Sequence, residues 1–158
     1  MQARADPIGL LLQQHVALGD LFARHQEALL ERRWEEAARR LEDYAGHLRC
    51  HIELEERYVL PHGGHRKALR WPIEVYRAEH RRIEQLLDNA AQRLERACAT
   101  RITAATIISL LDEERTLKHL IEHHHDREEQ GLFGEVRAEL PGEARIGFAR
   151  DVTTCELH

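Results

Sequence analysis

Two stretches of this 158-residue chain repeat one arrangement of ligating side chains. His51-Ile-Glu-Leu-Glu55-Glu56-Arg-Tyr-Val-Leu-Pro61 is echoed by His124-His-Asp-Arg-Glu128-Glu129-Gln-Gly-Leu-Phe-Gly134. Each reads histidine, three residues, two glutamates, two more residues, two apolar residues and a helix breaker. Four residues along a helix turn through about 400°, so the histidine and the first glutamate lie roughly 40° apart on one face. Both can reach one metal cluster. One helix before each copy stands a further inward histidine, His15 and His80. Leaving four histidines and two carboxylates buried without a shared partner would cost about 1 to 3 kcal/mol each, and a metal satisfies them together. A structural zinc needs four donors, usually rich in thiolate. Imidazoles with carboxylates that can span two metals instead suit a pair of iron or manganese ions, with positions left open for dioxygen, peroxide or nitric oxide.

The elements that must carry these groups are helices. Asp6-Pro7 reads as an N-cap followed by proline at the first helical position, and Ile8, Leu11, Leu12, Leu18, Phe22 and Leu29 recur at helical spacing to about Arg32. A second helix opens near Trp34, turns Leu41, Tyr44, Leu48, Leu54 and Tyr58 inward, and stops at Pro61-His-Gly-Gly64. Trp71-Pro72 starts a third, with Ile73, Tyr76, Ile83, Leu87, Ala91 and Leu94 inward. Thr103 caps a fourth, which carries Ile107, Leu110, Leu117, Leu120 and Ile121 and loses its pattern between Gly131 and Gly134. Short connections make neighbours antiparallel, which predicts an all-α, up-down-up-down four-helix bundle over about 7–134 within a single domain of 1–158. The extension 135–158 has no strong period and allows a short helix.

Depth along the bundle tests the pairing. His15 and His80 each lie eight residues past a helix-starting proline, and His51 and His124 each lie ten before a breaker. All four therefore sit about 12 to 15 Å from the same end. Glu55 and Glu128 form the adjacent layer. Glu56 and Glu129 point about 100° away and are expected to pair with Arg or Lys. His119, His123 and His125 fall off the face set by His124 and read as partly solvated surface.

Composition narrows the partners. The 23 Lys and Arg against 28 Asp and Glu give a net charge of -5 without the basic stripe that nucleic acid requires. The only early apolar run is Leu10 to Leu12, too short for a signal peptide or a membrane span, so a cytoplasmic protein is expected. Cys50, Cys98 and Cys155 share no Cys-x-x-Cys spacing and read as reduced residues, Cys50 in a packing role.

With the doubled His-x-x-x-Glu-Glu phrase preceded by His15 and Glu79-His80, roughly Pro7 to Gly134 resembles the hemerythrin-like, or HHE cation-binding, domains. The resemblance implies a four-helix bundle holding two non-haem irons, with manganese or zinc as alternative occupants, joined by a bridging oxo or hydroxo group. It implies His15, His51, Glu55, His80, His124 and Glu128 as ligands, with Glu55 and Glu128 bridging. Oxygen-carrying members have His-x-x-x-His on the third helix and end the site with His-x-x-x-x-Asp. This chain offers His80-x-x-x-Glu84 and His124-x-x-x-Glu128. Glu84 and His47 lie one layer beyond the histidines, and either could complete the second metal's shell or orient a true ligand. The leading expectation is a diiron protein that binds or senses dioxygen, nitric oxide or iron itself. A carboxylate-rich enzyme that activates oxygen or consumes peroxide follows if Glu84 is a ligand, and a metal-stabilised interaction module without redox activity follows if the metal is inert. The partner expected is a small diatomic ligand, dioxygen or nitric oxide, and the sequence does not identify a protein partner.

Overall fold

Proline at position 7 has no N–H to lose in a first helical turn, and the first helix begins there. In the computed structural model, which describes residues 6–155, that helix (α1) spans Pro7–Leu30. Arg32 takes a left-handed φ of 59°, and Arg33 N–H bonds back to Ala28 C=O, so the chain reverses without a glycine. Helix α2 covers Trp34–Leu54, α3 Ile73–Cys98 and α4 Ala104–Gly131. Thr103 caps α4 through a reciprocal box with Thr106, which satisfies two N–H groups that the helix start leaves free. All regular structure among the described residues is helical.

The second helix does not run evenly to its proline. After Leu54 the chain loosens into a π-helical turn over Glu55–Val59, then tightens to a 3-10 turn over Leu60–His62. Pro61 offers no N–H and would press on the carbonyl four residues back in a regular helix. The wider turn answers this, with Leu60 N–H reaching Glu55 C=O five residues behind. Glu55 therefore stands where the helix changes pitch.

Each long helix packs on two others: α1 on α2, α2 on α3, α3 on α4 and α4 on α1. Contacts run from His15–His51 to His25–Ala37 along the first seam, and from His80–Glu56 to Arg49–Asp88 along the second. Tyr76–Arg127 and Arg93–Glu113 mark the third, His15–Glu129 and His25–Glu114 the fourth. Two apolar clusters fill the interior. One gathers Phe22, Leu41, Leu48, Ile83, Leu87 and Leu117, and the other Ile8, Leu11, Leu54, Tyr76, Phe133 and Phe148. Along the four long helices, His15 lies between Leu11 and Leu18, His51 between Leu48 and Leu54, His80 between Tyr76 and Ile83, and His124 between Ile121 and Leu132, each pair drawn from the two clusters.

The C-terminal part forms two helices, α5 at Phe133–Glu139 and α6 at Gly142–Thr154. Helix α6 lies against α1 and α2 and buries Phe148 and Val152. A disulfide joins Cys50 on α2 to Cys155 at the end of α6, 105 residues apart, while Cys98 is free. This corrects the expectation of three reduced cysteines: their spacing says nothing about a pairing that depends on where α6 docks. Among the described residues no helix is long and apolar enough to cross a membrane.

Candidate metal centre

Helical periodicity brings His15, His51, His80 and His124 inward, and all four are buried. Their Nε2 atoms converge, with His15 to His51 at 3.1 Å and His80 to His124 at 3.0 Å. Glu55 and Glu128, wholly buried, stand between these pairs. Glu55 divides its oxygens: Oε1 lies 2.7 Å from His51 Nε2, and Oε2 lies 3.1 Å from His80 Nε2. Glu128 Oε1 is 3.4 Å from both His15 and His124. The six residues expected to act together are thus brought to one place.

A seventh joins them. His125 belongs with His15, His51 and Glu128 in one group whose ligating atoms all lie within 4.8 Å of one another, while Glu55, His80, His124 and Glu128 form a second such group. The His125 ring stacks on His15 at 3.6 Å with 5° between planes. Half-buried, His125 keeps the partial exposure expected of it, but its expected place off the inward face is corrected for a geometric reason. Helix α4 faces two neighbours, and a step of about 100° carries the chain from His124, beside His80 of α3, to His125, beside His15 of α1. The interior wedge of a bundle helix is at least that wide. His119 and His123 are exposed, as expected.

Glu84 and His47, offered by the sequence to complete a shell, stand apart from both groups. Glu84 is exposed, because on α3 the inward stripe runs from His80 to Ile83 and Leu87. His47 is half-buried on the flank of the α2 stripe formed by Tyr44, Leu48 and His51. The further imidazole that the structure brings to the cluster is that of His125, on α4.

The outward nitrogens of His15, His51 and His80 are also engaged, while His124 Nδ1 has only Glu79 Oε1 nearby, at 3.7 Å and without a hydrogen bond. His80 Nδ1 meets Glu56 Oε1 at 2.6 Å, His15 Nδ1 meets Glu129 Oε1 at 3.3 Å, and His51 Nδ1 meets Gln14 Oε1 at 2.7 Å. A proton held on Nδ1 by these acceptors leaves the Nε2 lone pair free to bind a cation. The second glutamates of the repeat were expected to pair with Arg or Lys. Glu56 does approach Arg77 at 3.5 Å, but its shorter contact is to His80. Tyr76 is fully buried one turn before His80, and its hydroxyl donates to the Arg127 carbonyl.

Electrostatics describe a layer in want of positive charge. Burial opposes protonation of His15, yet hydrogen bonds and charge from Glu128 and Glu55 carry its pKa from 6.5 to about 10. Against the cost of burial, Glu55 and Glu56 raise His80, and Glu128, Glu55 and Glu79 raise His124. Burial would raise Glu55, but His51, His124 and His15 hold it well below the usual carboxylate value. His125 goes the other way: burial, with like charge from the neighbouring histidines of the layer adding to it, pushes it down to about 2. Glu55 Oε1, Glu79 Oε1, His124 Nδ1 and both oxygens of Glu128 make no well-formed hydrogen bond, although imidazole nitrogens stand 2.7 Å from Glu55 Oε1 and 3.4 Å from Glu128 Oε1. Imidazole nitrogens 3 Å apart beside unpartnered carboxylate oxygens fit divalent cations, which satisfy all of them at once.

A family model described as the hemerythrin HHE cation binding domain matches residues 6–136. Neither the curated proteins nor the solved structures yield a match.

Proposed function

Because the chain belongs to the hemerythrin HHE cation-binding family, we propose that it holds two non-haem irons in this layer and uses them to bind or sense dioxygen or nitric oxide. The observation that carries the reading is the sharing of carboxylates: Glu128 belongs to both ligand groups, and Glu55 turns one oxygen to each. His15, His51 and His125 would hold one ion, His80 and His124 the other, with Glu55 and Glu128 spanning both. Bound there, the irons would supply redox activity and an open position for a diatomic ligand.

The chain's own contribution is orientation and exclusion of water. Glu56, Glu129 and Gln14 fix ring orientation through Nδ1, and apolar clusters on both sides dry the layer. The matched contacts along all four seams, rising in number on one helix as they fall on the next, support an antiparallel up-down-up-down bundle. The oxygen-activating enzyme rested on Glu84, which is exposed and belongs to neither group, so the histidine-rich set favours ligand binding over that reading.

The test is to purify the protein with and without air, count metals per chain, and record absorption before and after adding dioxygen or nitric oxide. About two irons per chain and a spectral response to either gas are expected. Zinc with no response would leave only the metal-stabilised module, and steady peroxide turnover would return the enzyme to first place.

A further inference from the structure

We propose that the Cys50–Cys155 disulfide is a thiol–disulfide exchange site, opened by a dithiol reductant, whose state sets how firmly α6 supports the turn that carries Glu55. The part concerning metal retention rests on the function proposed above. Three independent observations meet here. Cys50 immediately precedes His51, one of the converging histidines. The disulfide lies in a surface cavity of about 200 Å³ that Arg57 and Asp151 also line, so a small thiol has a place from which to attack. Helix α6 reaches from the disulfide to the π-helical turn, where Phe148 stacks on Tyr58 at 4.9 Å and Asp151 accepts a hydrogen bond from the Tyr58 hydroxyl.

The turn depends on that support. A π-helical turn has poorer geometry than the α-helix around it and persists where its surroundings hold it. Here the hold comes from α6, whose Phe148 and Val152 are buried in one cluster with Leu54, Val59 and Leu60. With Cys155 tied to Cys50, an opened α6 stays beside its seat and closes again readily. With the tie cut, the same opening costs less and lasts longer.

The chemistry balances with one reagent. A thiolate of the dithiol attacks Cys50 Sγ, forming a mixed disulfide and expelling the Cys155 thiolate. Its second thiolate then displaces Cys50, leaving the reagent as a disulfide. Two electrons pass to the protein sulfurs, and the reagent's two protons end on the two cysteines. Arg57 in the same cavity favours the departing thiolate.

The experiment compares the full chain purified in air, the same protein treated with dithiothreitol, and the Cys155→Ser variant, which is open without any reductant. Alkylation should label Cys98 alone before reduction and all three cysteines after it. Amide exchange over 142–154 and 55–59 should quicken about tenfold in the open forms. Ferrous iron loaded anaerobically should pass to a competing chelator several times faster from Cys155→Ser than from the air-purified chain. Cys50 and Cys155 already alkylated in that chain, or exchange that does not change, would overturn the latch. Faster exchange with unchanged iron release would overturn its link to the metal layer. Failure to take up iron would instead count against the proposed function, since alkylation and exchange still decide the latch.

Discussion

Glu56 Oε1 lies 2.6 Å from Nδ1 of His80, so the second glutamate of the first repeat grips the lead histidine of the second hairpin. Glu129 returns the relation by reaching His15 of the first. The repeated phrase thus does two things in each copy: its first glutamate enters the ligand layer, and its second steadies a histidine across a seam. Replacing Glu56 by Gln keeps the size and removes the charge that holds the His80 proton. Metal affinity should fall about 10- to 100-fold, as when such outer partners are lost elsewhere. Chelator competition measures it, and the melting temperature of the metal-free protein should move little. Equal affinity for Glu56→Gln and the parent would show that His80 is positioned by packing alone.

His125 makes a second prediction that separates it from the residues the sequence offered. His125→Ala should lower the metal count per chain, whereas Glu84→Gln and His47→Gln should leave it unchanged. Elemental analysis of the three variants decides. Full loading of His125→Ala, or a loss in Glu84→Gln, would return the ligand set to its earlier form.

That contrast marks what a sequence of this kind reveals. His15, His51, His80 and His124 were legible because helical spacing and distance from each breaker are both carried in the chain, and together they define a layer. His125 was not, because the width of the inward face of α4 depends on its having both α1 and α3 beside it. The disulfide was hidden for a related reason. Cys50 and Cys155 meet only once Phe148 and Val152 seat α6, and that helix has too weak a period to announce its docking face.

The metal-free protein should show a stability maximum near pH 6.5. His15, raised in the fold from 6.5 to about 10, contributes stability that is complete below 6.5 and is lost as pH rises towards 10. His80 and His124 act in the same direction. His125, depressed to about 2, is neutral in the fold and charged in the unfolded chain below 6.5, so its contribution is lost as pH falls. Glu55, held below 4.5, adds a further loss on the acid side. Metal replaces the histidine protons, so the loaded protein should lose its alkaline decline. Melting temperature against pH, with and without chelator, gives both curves; a metal-free protein equally stable from pH 6.5 to 9 would contradict the charge arrangement.

Between α1 and α4, about two to three turns from the histidine layer, His25 and Glu114 form a second buried polar contact, with Nε2 and Oε1 at 2.5 Å and His25 Nδ1 donating to the Ala37 carbonyl. It lies among the apolar residues beyond the metal layer, and Gln26 donates to the other Glu114 oxygen. Removing one member leaves the other's hydrogen-bonding group unsatisfied in an apolar interior, which typically costs about 1 to 3 kcal/mol. Glu114→Ala should therefore lower the melting temperature sharply while the surviving folded protein binds its full complement of metal. Glu55→Ala should remove metal and the stability that metal adds, because binding to the folded state alone raises stability by mass action. Thermal melts paired with metal counts separate the two. If Glu114→Ala also empties the metal layer at temperatures where the protein is folded, the His25–Glu114 contact and the metal layer are coupled and the apolar cluster between them transmits the change.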